Sequence, residues 1–274
     1  MYGKRLVAAA FGLLVIMSAA DADAQMNGSG QGPFVVFDGL LYKGKPDLGA
    51  LGMRPIRGIN PPATANKAAD DVDEAKVRAA LHDLQGYAGA VYLDYEMWPT
   101  SQGSAADVSK NIGKLNRVLQ VAHEALPAAK IGYYNVIPCW DYWGFVNNDR
   151  QKLQQWQSCN VRIGELAQHV DIVMPSLYTY YNDPKGWDLY ATALLQAAHR
   201  YGKPVYAFLW PEFHVSNRLL KDQNLPANFW RHELEFCKAR ADGIVIWGGY
   251  QKQWNEQAPW WLETKAFLGG LNSR

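Results

Sequence analysis

Val91-Tyr92-Leu93-Asp94-Tyr95-Glu96-Met97-Trp98-Pro99 is an apolar run that ends in two acids, followed at once by aromatic residues and a proline. Its start reads as a buried strand, and Pro99 bounds it. Strand side chains alternate between faces, so Asp94 and Glu96 point one way while Tyr95 points the other. Two acids on one face in the middle of an apolar strand cost stability. At the strand's end, facing a cleft, the same pair can perform acid/base chemistry.

Working outward, further short apolar, β-branched runs fall at 34–38, 53–59, 131–136, 171–175, 204–209 and 243–247, beside the one at 90–95. Helical patterns separate most of them, at 72–85, 105–125, 150–168, 187–201, 226–240 and 258–268. Asp71 is placed to cap the first helix, and Pro226 suits the first turn of the fifth. Repeated βα units favour a parallel sheet. At this length they predict a single α/β domain, a (β/α) TIM-like barrel of about seven to eight strands, rather than a doubly wound sheet. No GxGxxG or P-loop signature follows any strand, which weakens nucleotide-binding alternatives.

The amino terminus reads differently. Lys4 and Arg5 precede an apolar run from Leu6 to Ala20, and Ala22-Asp23-Ala24 fits a small-residue cleavage site. Residues 1–24 are expected to be a secretory signal peptide, 25–32 a flexible leader, and 33–274 the barrel domain. That implies a secreted or periplasmic protein with no stable membrane span after cleavage. Removal of the signal leaves about 250 residues, the usual size of such a barrel.

A net charge of +1 points away from nucleic acid. The 3 cysteines suit one disulfide and one free thiol in an exported chain. Cys139 and Cys159 are the favoured pair, closing a loop of about 20 residues for roughly 3 kcal/mol, and Cys237 is read as a buried thiol inside a helix. No Cys/His spacing resembles a zinc site, so neither metal nor cofactor is expected.

Active sites of such barrels form where strands give way to loops. Five successive strand ends here are polar and aromatic: Asp94-Glu96-Trp98; Tyr133-Tyr134-Asn135 leading to Trp140, Tyr142 and Trp143; Ser176-Leu177-Tyr178 with Tyr180 and Tyr181; Trp210 with Glu212 and His214; and Trp247 to Tyr250. Aromatic rings are platforms for sugars, and this recurrence points to a carbohydrate cleft.

The acids narrow the chemistry. Ordinary glycosidases set two carboxyl groups about 5–5.5 Å apart (retaining) or about 6.5–9.5 Å apart (inverting), on opposite sides of the bond. Acids at i and i+2 of one strand approach from the same side. They suit a division of labour in which one protonates the leaving oxygen and the other orients a 2-acetamido group, whose carbonyl attacks the anomeric carbon. Mutual repulsion and partial burial are expected to raise the pKa of one member of the pair.

These residues resemble the hyaluronidase family of glycoside hydrolases. Asp94-Tyr95-Glu96-Met97-Trp98-Pro99 is similar to the family's Asp-aromatic-Glu strand. Gly132-Tyr133-Tyr134 with Pro138-Cys139-Trp140-Asp141-Tyr142, Asn148-Asp149 with Leu153 and Trp156, Pro175-Ser176-Leu177-Tyr178 and Gly243-Ile244-Val245-Ile246-Trp247-Gly248 resemble its later motifs in order. The resemblance spans roughly 34–249. It implies an endo-acting hydrolase of hyaluronan- or chondroitin-like polysaccharide, with Glu96 as acid/base and Asp94 orienting the acetamido group. Tyr178 would bond that group, Trp247 would wall its methyl, and Trp140, Tyr142, Tyr134 and Trp98 would line the substrate. The sequence departs from the family in having Tyr95 where Trp stands between the acids, Trp98 where Arg precedes the proline, and Trp140 where a Tyr is expected. Arg54, Arg57, Lys185 and Arg218 are available to supply positive charge to a polyanion. Two other readings stay open: a retaining enzyme with Glu212 as nucleophile, and a non-catalytic glycan-binding barrel.

Overall fold

The computed structural model describes residues 32–60, 65–66 and 70–273; the expected signal peptide and nearly all of the leader lie outside them. Six parallel strands, β1 (Val35–Leu40), β2 (Arg54–Ile59), β3 (Ala90–Leu93), β4 (Lys130–Tyr133), β5 (Tyr206–Leu209) and β6 (Gly243–Gly248), pair in the order β4-β3-β2-β1-β6-β5.

The gap between β4 and β5 is bridged by residues 171–177. On one side the Asp171 N–H donates to the Ile131 carbonyl (2.8 Å) and Asn135 N–H to Met174 (3.0 Å). On the other, Val173 N–H donates to Pro204 (2.9 Å) and Phe208 N–H to Pro175 (2.8 Å). These bonds close a ring of seven staves. The expected strand at 171–175 is thus present as an irregular stave, because Pro175 and Pro204 have no N–H to give to a ladder.

Alternation sorts each stave between two layers. Val36, Val91, Leu93, Tyr95, Ile131, Tyr133, Val205, Ile244 and Ile246 face outward and pack under the helices. Phe37, Ile56, Ala90, Ile172, Met174, Phe208 and Val245 face inward and fill the barrel, with Tyr92 against them. Each fully buried Val, Leu, Ile, Phe or Met among them contributes on the order of 1.5–3 kcal/mol.

The helices are α1 (Glu74–Leu81), α2 (Ala105–Ala125), α3 (Tyr142–Val146), α4 (Arg150–His169), α5 (Pro184–His199), α6 (Ala227–Arg240) and α7 (Pro259–Asn272). α2 starts in a reciprocal box in which the Ser104 hydroxyl accepts from Asp107 N–H (3.2 Å) and the Asp107 carboxylate from Ser104 N–H (3.2 Å). Its carbonyl at Leu115 accepts the Tyr133 hydroxyl (2.6 Å), tying helix to stave. Several boundaries differ from expectation, the helix starts among them. Asp73 rather than Asp71 caps α1, since Asp71 pairs in a two-residue hairpin, Ala65–Asn66 with Asp71–Val72. α5 starts earlier, at Pro184, because Asp183 caps it and the proline suits its first turn. Pro226 sits just before α6 rather than in it.

Cys139 and Cys159 form the disulfide, and Cys237 is free and buried. Among the described residues no helix is long and apolar enough to cross a membrane.

Candidate active site

The carboxyl ends of the staves form the mouth of the barrel. β3 ends at Leu93, and Asp94 continues its register through an N–H bond to the Ile59 carbonyl (2.9 Å). Parity then turns Asp94 and Glu96 inward. Tyr95 turns outward, where it packs against Tyr133 and Trp98. Glycines at inward positions leave room in the interior: a Cβ at Gly58 would overlap the Tyr92 ring, and one at Gly132 the Ile172 carbonyl.

Asp94 is half-buried and Glu96 is exposed above it. Desolvation first, then the negative charge of Glu96, pushes the Asp94 pKa up to about 6. The raised member of the pair is therefore the inner acid, the one with less access to water. The Asn135 side-chain amide donates to Glu96 Oε1 (2.8 Å) and fixes the outer acid. Asn135 stands at a φ of 56°, a conformation that asparagine tolerates better than most residues.

Aromatic rings wall the pair. Tyr178 lies flat against Trp247 (5.9 Å, 27°) and near Tyr134 (5.8 Å), and Trp210 closes on Trp247 edge to face (5.1 Å). The Tyr134 hydroxyl reaches toward Ser176 Oγ (3.4 Å). Burial first, then neighbouring tyrosines and the acids, holds the Tyr134 and Tyr178 phenols protonated well above their ordinary range, so they act as donors. His214 packs on Tyr180 (4.8 Å), with Tyr178 and Trp210 beyond it. Its Nδ1 accepts from the Ser216 N–H (3.2 Å), and burial lowers its pKa against the opposing pull of Glu96.

Asp94, Glu96, Tyr134, Tyr178 and Trp247 thus gather at one mouth. Trp140 shares a hollow of about 180 Å³ with Glu96 and stacks on Tyr180. Tyr142 is buried behind Tyr180 rather than open to the cleft. Trp98 edges the same hollow, yet its ring belongs to the outer layer, against Tyr95 (5.6 Å) and under Lys114 Nζ (5.1 Å). Glu212, expected on a solvated loop or as a nucleophile, is 2% exposed and ion-paired to Lys252 (2.6 Å), with Tyr42 OH at 3.4 Å. Asn135, Trp210 and His214, named among the strand ends but given no role, join the site; their signal was position, each at or just past a stave's carboxyl end. A larger hollow, about 490 Å³, lies elsewhere, between α2 and α4, lined by residues such as Asn116, His123 and His169. No cluster of metal-ligating side chains occurs among the described residues.

Comparison with protein-family models and with curated protein sequences gives no match. Among solved structures the chain is similar to bee venom hyaluronidase in its monoclinic crystal form, with a TM-score of 0.60 at 15% identity over 88% of this chain and 96% of that one. It is similar also to bee venom hyaluronidase in complex with a hyaluronic acid tetramer, with a TM-score of 0.57 at 15% identity over 88% and 95% of the two chains. At that identity the likeness is one of architecture: this chain has a hyaluronidase-like barrel fold.

Proposed function

We propose that this protein is an exported endo-acting glycoside hydrolase that cleaves polysaccharide containing N-acetylhexosamine, with retention, by substrate-assisted catalysis. The observation that carries the reading is the Asp94–Glu96 pair on one inward face, its inner member holding a proton up to about pH 6 beneath a wall of tyrosine and tryptophan. The reaction uses the pair with one proton on it. In the free protein the buried Asp94 favours that proton. An acetamido N–H donated to Asp94 stabilises its carboxylate and leaves the proton to Glu96, next to the glycosidic oxygen.

Glu96 protonates that oxygen as the acetamido carbonyl oxygen attacks the anomeric carbon and the glycosidic bond breaks. Water then opens the cyclised intermediate at the same carbon and gives its proton to Glu96. Two inversions give net retention. Tyr178 suits a hydrogen bond to the acetamido group and Trp247 a wall for its methyl. The fold of bee venom hyaluronidase supports the class of reaction, and the Cys139–Cys159 disulfide supports passage through an oxidising compartment.

The test is Glu96→Gln and Asp94→Asn, assayed on N-acetylhexosamine polymers with sizing of products and a thiazoline mimic of the cyclised intermediate as inhibitor. Loss of turnover with retained folding, and inhibition by the thiazoline, are expected. Full activity in either variant removes the mechanism. Glycan binding with no hydrolysis across the panel would instead favour the non-catalytic reading.

A further inference from the structure

The mouth continues onto aromatic surface that the acid pair does not use. The hollow beside Glu96 ends on Trp140, 42% exposed and stacked on Tyr180 at 5.9 Å and 13°. Beyond it Trp143, also 42% exposed, meets Tyr181, 38% exposed, at 4.8 Å. Tyr142 lies beneath both pairs, 5.7 Å from Tyr180 and 5.3 Å from Tyr181. Its hydroxyl is buried and has no hydrogen-bond partner among the described residues.

This shelf is built, not loose. The Cys139–Cys159 disulfide anchors its start, and the Trp156 indole N–H donates to the Cys139 carbonyl (2.6 Å). Asp141 and Asp183 cap α3 and α5 on either side of it, through the N–H groups of Gly144 (2.8 Å) and Gly186 (3.0 Å). Exposed rings match pyranose faces, whose C–H bonds pack on aromatic planes.

Glu96, Asp141 and Asp183 are the acids along this path, and the lysines beside it, Lys152 next to Asp141 and Lys185 in the first turn of α5, form no ion pair with them among the described residues. Proton affinities at Asp94, Tyr134, Tyr178, Tyr180, Tyr142 and His214 are set by burial, carboxylates, hydroxyls and other tyrosines, with no contribution from a lysine or arginine. Arg54 opens β2 at the opposite end of the barrel, and Arg57 lies over the Tyr87 ring (5.9 Å) on the outer side. At the mouth, Lys252 is taken by Glu212 and Lys45 by Asp38.

Resting on the glycosidase reading, we propose that Trp140, Trp143 and Tyr181 form additional sugar subsites for an uncharged N-acetylhexosamine chain, and that the site disfavours the uronate-bearing polymers implied by the sequence resemblance. A polymer with a carboxylate on every second sugar would bring like charge to Glu96, around which no lysine or arginine acts on the neighbouring groups.

The test uses the Asp94→Asn protein, which keeps the Glu96 charge, and tryptophan fluorescence titration with three ligands of equal length: N-acetylglucosamine oligomers, hyaluronan oligomers, and the same hyaluronan oligomers with their carboxylates methyl-esterified. The neutral and esterified chains are expected to bind about tenfold or more tightly than native hyaluronan, with added salt narrowing the gap by screening. Trp143→Ala and Tyr181→Ala are each expected to weaken neutral binding about fivefold. Native hyaluronan binding as tightly as its ester, or failure of the neutral chains to bind, overturns the proposal. Hydrolysis by the unmodified protein is scored separately. Selective neutral binding without cleavage leaves the subsites standing and removes the glycosidase reading; cleavage with tight binding of native hyaluronan does the reverse.

Discussion

Asp94→Asn is expected to make the protein more stable while disabling it. In the fold, burial and then Glu96 lift the Asp94 pKa from an ordinary 3.8 to about 6. A carboxyl group whose pKa is raised by folding stabilises the fold only while protonated. That contribution is complete below about pH 4 and is lost as the pH climbs through about 6. The rise corresponds to roughly 3 kcal/mol, and the partial access of Asp94 to water reduces the expected effect to about 1–2 kcal/mol. Asparagine has the same shape and never ionises, so the variant escapes the loss. Urea unfolding of both proteins near pH 4 and near pH 8 measures it. The two should match at the acid end, and the variant should lead by about 1–2 kcal/mol at the alkaline end. Glu96→Gln should recover only the smaller, charge-repulsion part. An Asn variant less stable than the parent near pH 8, or a difference that is the same at both pH values, refutes the reasoning.

Other outcomes follow from the same geometry. Above about pH 6 Asp94 loses its proton, so kcat/KM should fall about tenfold per pH unit; a plateau extending to pH 8 would contradict this. Glu212→Gln should keep activity, whereas Lys252→Met, which strands a buried carboxylate, should cost about 2–4 kcal/mol in unfolding and be rescued by adding Glu212→Gln. Gly132→Ala places a methyl group against the Ile172 carbonyl and should lower stability by about 1–3 kcal/mol, read as a drop in Tm.

Much of this architecture was legible because strand parity is a local property. The spacing of Asp94, Tyr95 and Glu96 alone assigns the acids to the interior and the tyrosine to the helix layer, as found. The disulfide followed from the spacing of Cys139 and Cys159 in a chain read as exported. What escaped depends on depth and on distant partners. Which acid binds its proton more tightly is decided by how far each stands from water, and that follows from where β3 ends. Glu212 looked solvated because Lys252 and Tyr42, which bury it, arrive from 40 and 170 residues away. Trp98 looked like a sugar platform because aromatic identity is the same for a platform and a core residue; Lys114, from α2, draws it into the outer layer. The short helix α3 escaped because its five residues, Tyr142–Val146, are too few to show a period.

The seventh stave joins β4 through the Asp171 and Asn135 amides, without the continuous ladder that unites the other strands. It also carries Tyr178. In hydrogen-exchange terms, the seam at 171–177 is the least cooperative joint of the cylinder, and its amides should exchange through local opening at free energies below that of global unfolding. A glycan bridging Tyr178 and the β3 acids would act as a hoop across that joint, so slowed exchange there would register ligand occupancy without any turnover being measured.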